Sequence, residues 1–302
     1  MPKRVQWFSC TAILTIAWLA GVAQDQASPR LLTSVGPILS QDSMNVFRRF
    51  AVEPKAMYEF YGEVLGLKQL TTFDVGANTN VARFQAGDSQ LKLTTKVPNR
   101  QYHPGAVAEA TGVRLITLYF PDQKAMADRF RAHGLPLPEF QPITGSNRSH
   151  ALVKDPDGQF VEVVIAPDAP ADVYRQIEVG LTVSDLAASR KFYREFVGLE
   201  ELPPVNDPLF HVKKYPFRHG TTTINLLSFG KPLPADTGSG GIQYVVSDAK
   251  AVDTLAKARQ IAIETPLSTL QSFALTTVWL DDPDGITNYF AQVGVPGPPR
   301  GR

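Results

Sequence analysis

Apolar and polar positions along the chain fall into a pattern that repeats. From Val52 to Leu67 the apolar residues Met57, Phe60, Tyr61 and Val64 recur at spacings of three and four, the signature of one helix face. The helix closes at Gly66, a natural C′ residue. A second copy runs from Val183 to Leu199, with Asp185 as its N-cap and Gly198 as its C′ residue. Both copies carry Phe-Tyr-x-Glu-x-x-Gly-Leu. Each follows a short β-branched and apolar run that reads as a strand.

Two further copies interleave with these. Leu115–Phe120 leads into Asp122 and a helix ending near His133-Gly134, and Ile242–Val246 leads into Asp248 and a helix through Leu255 and Ala258. Each copy is followed by an Asp-Pro-Asp-Gly turn, at Asp155–Gly158 and Asp282–Gly285, and then by an apolar run. Proline sets φ, the Asp side chains cap the turn and glycine takes φ > 0, so each is a hairpin. The order strand, helix, three strands therefore occurs four times. The helices are expected to start near Lys55, Gln123, Leu186 and Ala249. The chain is α+β, four βαβββ modules paired into two domains at 44–167 and 175–295. A Pro-containing linker, 166–172, lies between them, and a Pro/Gly tail follows at 296–302.

The first residues follow a different pattern. Lys3 and Arg4 precede an apolar stretch from Val5 to Ala23, and Gly21 and Ala23 sit at the −3 and −1 positions before Gln24. This is the layout of a secretory signal peptide, 1–23. An uncleaved anchor is the other reading of the same segment. Residues 24–43 have no strong period and are expected to be a flexible leader. The expected location is secreted or periplasmic, with no membrane contact after cleavage.

Composition narrows the chemistry. The chain has 302 residues, 43% hydrophobic and 20% charged, and a net charge of +1. Loss of residues 1–23 removes Lys3 and Arg4 and no acid, leaving 28 basic side chains against 29 acidic, or −1. That is no footprint for nucleic acid. Cys10 is the single cysteine, so the segment after the leader has no disulfide, thiolate ligand or catalytic thiol.

The paired Phe-Tyr helices and Asp-Pro-Asp-Gly hairpins resemble the vicinal oxygen chelate superfamily of glyoxalases, bleomycin-resistance proteins and extradiol dioxygenases. The resemblance implies that two modules curl around one cleft, and that metal-dependent relatives draw ligands from the first and last strands of each module. In the first half those positions hold Phe47 (or Val46), Leu115, Lys92 and Glu162. In the second they hold Glu178, Asn225, Gly241 and Tyr289. Each half then offers one carboxylate, too few for a divalent ion, so no metal or other cofactor is expected.

Two functional classes stay open. One is a metal-free module that binds a small, partly apolar molecule against Tyr58, Tyr61, Tyr244 and Tyr289. The other is an enzyme of that superfamily with a divergent site, using Glu178 or His150 as general base or recruiting a divalent metal as a lyase, isomerase or dioxygenase. Glu178, Asn225 and Tyr289 are expected to converge in the second half. In the first, Lys92 is expected to pair with Glu162 where relatives hold metal; the alternative is that Lys92 extends outward along its stem.

Overall fold

A computed structural model of the chain describes residues 32–74 and 80–294. The expected signal peptide, the first part of the leader and the tail lie outside the described residues. Module one comprises β1 (Asn45–Phe50), α1 (Pro54–Glu59), β2 (Gln69–Asp74), β3 (Asn80–Ala86) and β4 (Ser89–Thr95). Module two comprises β5 (Gly112–Phe120), α2 (Gln123–Ala132), β6 (Gln141–Pro142), β7 (Ser149–Lys154) and β8 (Phe160–Ile165). Module three has β9 (Ile177–Thr182), α3 (Leu186–Lys191), β10 (Glu200–Glu201), β11 (Val205–Asn206), β12 (Lys213–His219) and β13 (Thr222–Leu227). Module four has β14 (Gly240–Val245), α4 (Ala249–Ala258), β15 (Ile263–Leu270), β16 (Leu275–Asp281) and β17 (Thr287–Val293).

The helix starts follow their caps. Asp122, Asp185 and Asp248 each accept a hydrogen bond, at 3.0 Å, from the backbone N–H three residues on. Pro54 begins α1, one residue before the expected start. The motifs Phe60–Val64 and Phe192–Val197 continue α1 and α3 as wider π-type turns. Met57, Phe60, Tyr61 and Val64 are buried, as their spacing predicts.

The strands form two curled sheets. The eight-stranded sheet runs β15-β16-β17-β14-β1-β4-β3-β2, and the nine-stranded sheet runs β10-β12-β13-β9-β5-β8-β7-β6 with β11 on β12. Module one is thus hydrogen-bonded to module four, and module two to module three. Modules consecutive in sequence were expected to share a cleft, and the strand pairing corrects that. Each module leaves its first strand with a free edge that needs a partner. β1 finds β14, with Asn45 opposite Gln243, and β5 finds β9, with Thr117 opposite Glu178. Gly241 makes the first junction passable, because a Cβ there would lie 2.4 Å from both the Phe47 ring and the Thr287 carbonyl.

The two modules of each sequence half are nevertheless joined inside the core. Tyr61 of module one donates to Asp155 of module two at 2.9 Å, and Tyr193 of module three donates to Asp282 of module four at 2.9 Å. One continuous apolar cluster runs from Val35 to Phe290.

The described part of the expected leader is not loose. Val35 is fully buried. Its N–H donates to Phe196 O, Ser40 N–H donates to Val245 O, and Thr221 N–H donates to Asp42 O. Residues 32–43 form a strap across modules three and four. The short turn Gly36–Ile38 offers no long periodic face, and this is why the strap could not be read from pattern.

Candidate functional site

Alternation along each strand sends one set of side chains toward the helices and the other to the opposite face. On the nine-stranded sheet Ile116, Leu118, Val161 and Val179 enter the core. Thr117, Tyr119, Glu162, His150, Glu178 and Asn225 therefore share the opposite face.

Thr117 sits at the centre. Its neighbour across β8 is Glu162, and its neighbour across β9 is Glu178. The Glu162 carboxylate, 9% exposed, accepts from Thr117 Oγ1 at 2.8 Å and contacts His150 Nδ1 at 2.8 Å. The Glu178 carboxylate accepts from the Tyr119 hydroxyl and from Asn225 Nδ2, each at 2.5 Å. Lys214 Nζ lies 3.6 Å from Glu178 and 3.9 Å from Asp207. Burial pulls the Lys214 ammonium down, but Glu178, Glu162 and Asp207 outweigh it and hold its pKa above the usual value. Burial, then the Glu178 charge, pushes the Tyr119 hydroxyl up, so it stays a donor.

Beside this cluster is a cavity of about 470 Å³ lined by Glu178, Asn225, Lys214, Pro216 and Thr223. Apolar surface from Leu115, Leu227, Phe160, Phe210 and Phe229 flanks the polar strip. Asn225 Oδ1 is buried and has no hydrogen-bond partner.

The opposite sheet carries a different set. Lys92 Nζ donates to Gln243 Oε1, and Asn45 Nδ2 reaches the same oxygen at 3.5 Å. Tyr289 packs against Trp279 with ring centroids 4.7 Å apart, and Trp279 lies 6.3 Å from Phe47. Burial, with the like charge of Arg83, pulls the Lys92 ammonium down to about 8.

Several expectations change with the module pairing. Lys92 and Glu162 lie on different sheets and form no ion pair; Lys92 meets Gln243 and Glu162 meets His150. Glu178 and Asn225 do converge, but Tyr289 belongs to the other sheet. Tyr61 and Tyr244 are buried on the helix side, where their hydroxyls bond Asp155 and Asn288. They are core residues and line no cleft. Tyr119, Thr117 and Lys214 were missed. The alternation Leu115, Thr117, Tyr119 on one strand was the available signal.

Both halves of the chain match one family model, described as Glyoxalase/Bleomycin resistance protein/Dioxygenase superfamily, over residues 43–163 and 175–290. The chain belongs to this superfamily. Among solved structures, this superfamily member is similar to glyoxalase I from Zea mays, with TM-score 0.64 and 21% identity, covering 83% of this chain and 92% of that one. It is also similar to a putative dioxygenase from Bacillus subtilis, with TM-score 0.62 and 14% identity, covering 87% of each. At these identities the likeness is one of fold. A curated relative, lactoylglutathione lyase GLX1 of Arabidopsis thaliana, is 28% identical over 156 residues, which is 50% of this chain. The match spans about half of that relative, 52% of its length.

Glyoxalase I is a member of this superfamily that uses a divalent metal, so the fit of such an ion is a direct question. With modules two and three paired, the ligand positions of one cleft are Leu115, Glu162, Glu178 and Asn225. Leu115 supplies no donor, both carboxylates already accept protein hydrogen bonds, and an ammonium stands 3.6 Å from Glu178. Among the described residues no three His, Cys, Asp or Glu side chains are placed to hold an ion. The donor set as arranged does not fit a divalent metal.

Proposed function

We propose that the cleft of modules two and three binds a small, partly apolar molecule without a metal, through its polar strip and the apolar wall beside it. The observation that carries this reading is Asn225 Oδ1, a buried acceptor with no partner at the edge of the 470 Å³ cavity. Leaving such an atom unpaired costs about 1–3 kcal/mol, and a ligand N–H or O–H would remove that cost. Tyr119 and Lys214 orient Glu178, and His150 orients Glu162. The His150–Glu162 pair is the group that could move a proton on a bound molecule.

Fragment screening by saturation-transfer NMR tests this. Hits are expected to bind wild type and Lys92→Met, and to be lost on Asn225→Leu. Hits that bind Lys92→Met as they bind wild type yet are indifferent to Asn225→Leu, or a purified protein with about one equivalent of Zn, Ni, Fe or Mn, go against it. Export belongs to the same reading and is supported by the charged start, apolar core and small residues before Gln24. An intact mass of the released protein beginning near Gln24 is the expected result, and a mass retaining Met1–Ala23 overturns it.

A second reading rests on the two carboxylates. Glu162 and Glu178 occupy positions at which metal-dependent relatives hold ligands, and they share one cleft. With the curated relative named a lactoylglutathione lyase, the alternative is a metal-dependent lyase or isomerase. It requires Lys214 to move aside. Formation of lactoylglutathione on addition of Ni or Zn, abolished in Glu162→Gln, would favour it over the metal-free reading.

A further inference from the structure

The two clefts are related by the repeat, but their charge is opposite. The cleft of modules two and three holds Glu162, Glu178 and Asp207 around Lys214 and His150. At the corresponding last-strand position of module one stands Lys92. On the face it shares, Arg83 projects from β3, Gln90 from β4, Asn45, Phe47 and Arg49 from β1, and Gln243 from β14.

Beyond these, Tyr289 comes from β17 and Trp279 and Asp281 from β16. The acids at the rim are already engaged. Glu264 lies 3.3 Å from Arg100 and accepts from Thr287 Oγ1 at 2.7 Å, and Asp281 lies 3.2 Å from Arg100. Among the described residues, no carboxylate is in ion-pair contact with Lys92, and its one hydrogen bond is to Gln243 Oε1. An ammonium has three donors, so two are free. Arg49, 4% exposed, stacks its guanidinium 4.9 Å from the Phe47 ring and adds a second positive charge; Glu264 and Asp236 act on it through space, but among the described residues no acid lies within ion-pair distance of it.

We propose that the cleft of modules one and four is a second binding site, for a small organic anion with an aromatic or apolar body. Lys92 receives the carboxylate, Gln243 orients Lys92, and the wall of Phe47, Trp279 and Tyr289 receives the body. A buried cation without a counter-ion is costly, and an incoming carboxylate supplies the missing charge. The aromatic wall selects against small inorganic anions, because its surface is desolvated only by a ligand with an apolar body. No residue of the other cleft takes part, so this site stands or falls apart from the reading above.

Calorimetric titration of the full chain with benzoate tests it, with benzamide as the uncharged control. Benzoate is expected to bind at least about tenfold more tightly than benzamide, and Lys92→Met to weaken it by at least about tenfold, the worth of one charge-assisted hydrogen bond. Lys92→Arg retains binding, and Asn225→Leu leaves it unchanged. In protein beginning near Gln24, Trp279 is the single tryptophan, so its fluorescence reports the same event without mutation if Lys92→Met fails to fold. Absence of benzoate binding, equal binding by Lys92→Met, or a fluorescence change matched by benzamide overturns the proposal.

Discussion

Tyr193 donates its hydroxyl hydrogen to Asp282 Oδ2 at 2.9 Å, and Tyr61 donates to Asp155 Oδ2 at the same distance. Each tyrosine belongs to a Phe-Tyr helix motif, and each aspartate opens an Asp-Pro-Asp-Gly hairpin. The two motifs that mark the repeat are thus two sides of one buried contact. The first aspartate of each hairpin also caps its own turn, as Gln159 N–H donates to Asp155 Oδ1 and Ile286 N–H to Asp282 Oδ1, both at 2.9 Å.

The copies differ in one charge. Arg48, fully buried, lies 3.2 Å from Asp155. Removing one partner of a buried pair costs about 3–5 kcal/mol, because the other charge is left unpaired. Losing the Tyr61 hydroxyl, which donates to Asp155 and accepts from Arg48 Nη1, leaves the ion pair in place and costs about 1–3 kcal/mol. Arg48→Met is therefore expected to destabilise more than Tyr61→Phe in urea unfolding, and the reverse order would contradict the ion-pair account.

Asp282 has no cation beside it. Burial pushes its carboxyl up to about 7, against the hydrogen bonds from Ile286 N–H and Tyr193. An unfolded Asp titrates near about 3.9, so the folded chain binds more protons between these values. Its stabilising term is complete below about pH 4 and is lost as pH rises through about 7. Melting temperatures of wild type and Asp282→Asn across pH 4 to 8 check this; the variant should fall less steeply with rising pH. Parallel curves would mean that Asp282 is ionised throughout.

Lys92 has the opposite sign. Burial, then Arg83, holds its pKa at about 8 in the folded state, and the unfolded value is about 10.4. The unfolded chain binds more protons between these values, so this residue's contribution to stability rises from pH 8 to about 10.4. Lys92→Met should remove that rise. At pH 7, below the folded pKa, it should melt no lower than wild type, since a cation without a paired acid is replaced by an apolar chain. A lower melting temperature at pH 7 would show that Lys92 has an acidic partner in solution.

Gly198 reports on the strap. Its φ is +85°, and a Cβ there would lie 2.8 Å from Gly36 N and from Ser34 Oγ. Gly134 has φ +65° with nothing within 4 Å of the added atom. Both glycine-to-alanine changes incur the left-handed backbone penalty of about 1–2 kcal/mol, but only Gly198→Ala also displaces residues 34–36. Guanidinium unfolding should place Gly198→Ala clearly below Gly134→Ala. Equal midpoints would mean that the strap is not packed in solution.

The elements were legible because their causes are local. Asp122, Asp185 and Asp248 cap helices through bonds spanning three residues, and the Asp-Pro-Asp-Gly turns close within four. The buried stripe Met57, Phe60, Tyr61 and Val64 follows from 3.6-residue periodicity. Glu178 and Asn225 could be placed on one face for a similar reason. They lie on neighbouring strands of a single module, with Asn225 opposite Gly180, so alternation sufficed.

What the sequence by itself determined was therefore the four modules, their helices, caps and turns, and the shared face of strand residues such as Glu178 and Asn225. Tertiary structure alone decided which first strands pair. Asn45 meets Gln243 and Thr117 meets Glu178, contacts that join residues far apart in the chain. A free strand edge offers the same backbone donors and acceptors to any partner, so the choice falls to the shape of both edges, such as the space Gly241 leaves for Phe47. That choice moved Tyr289 away from Glu178, separated Lys92 from Glu162, and brought two carboxylates into one cleft and an unpaired lysine into the other.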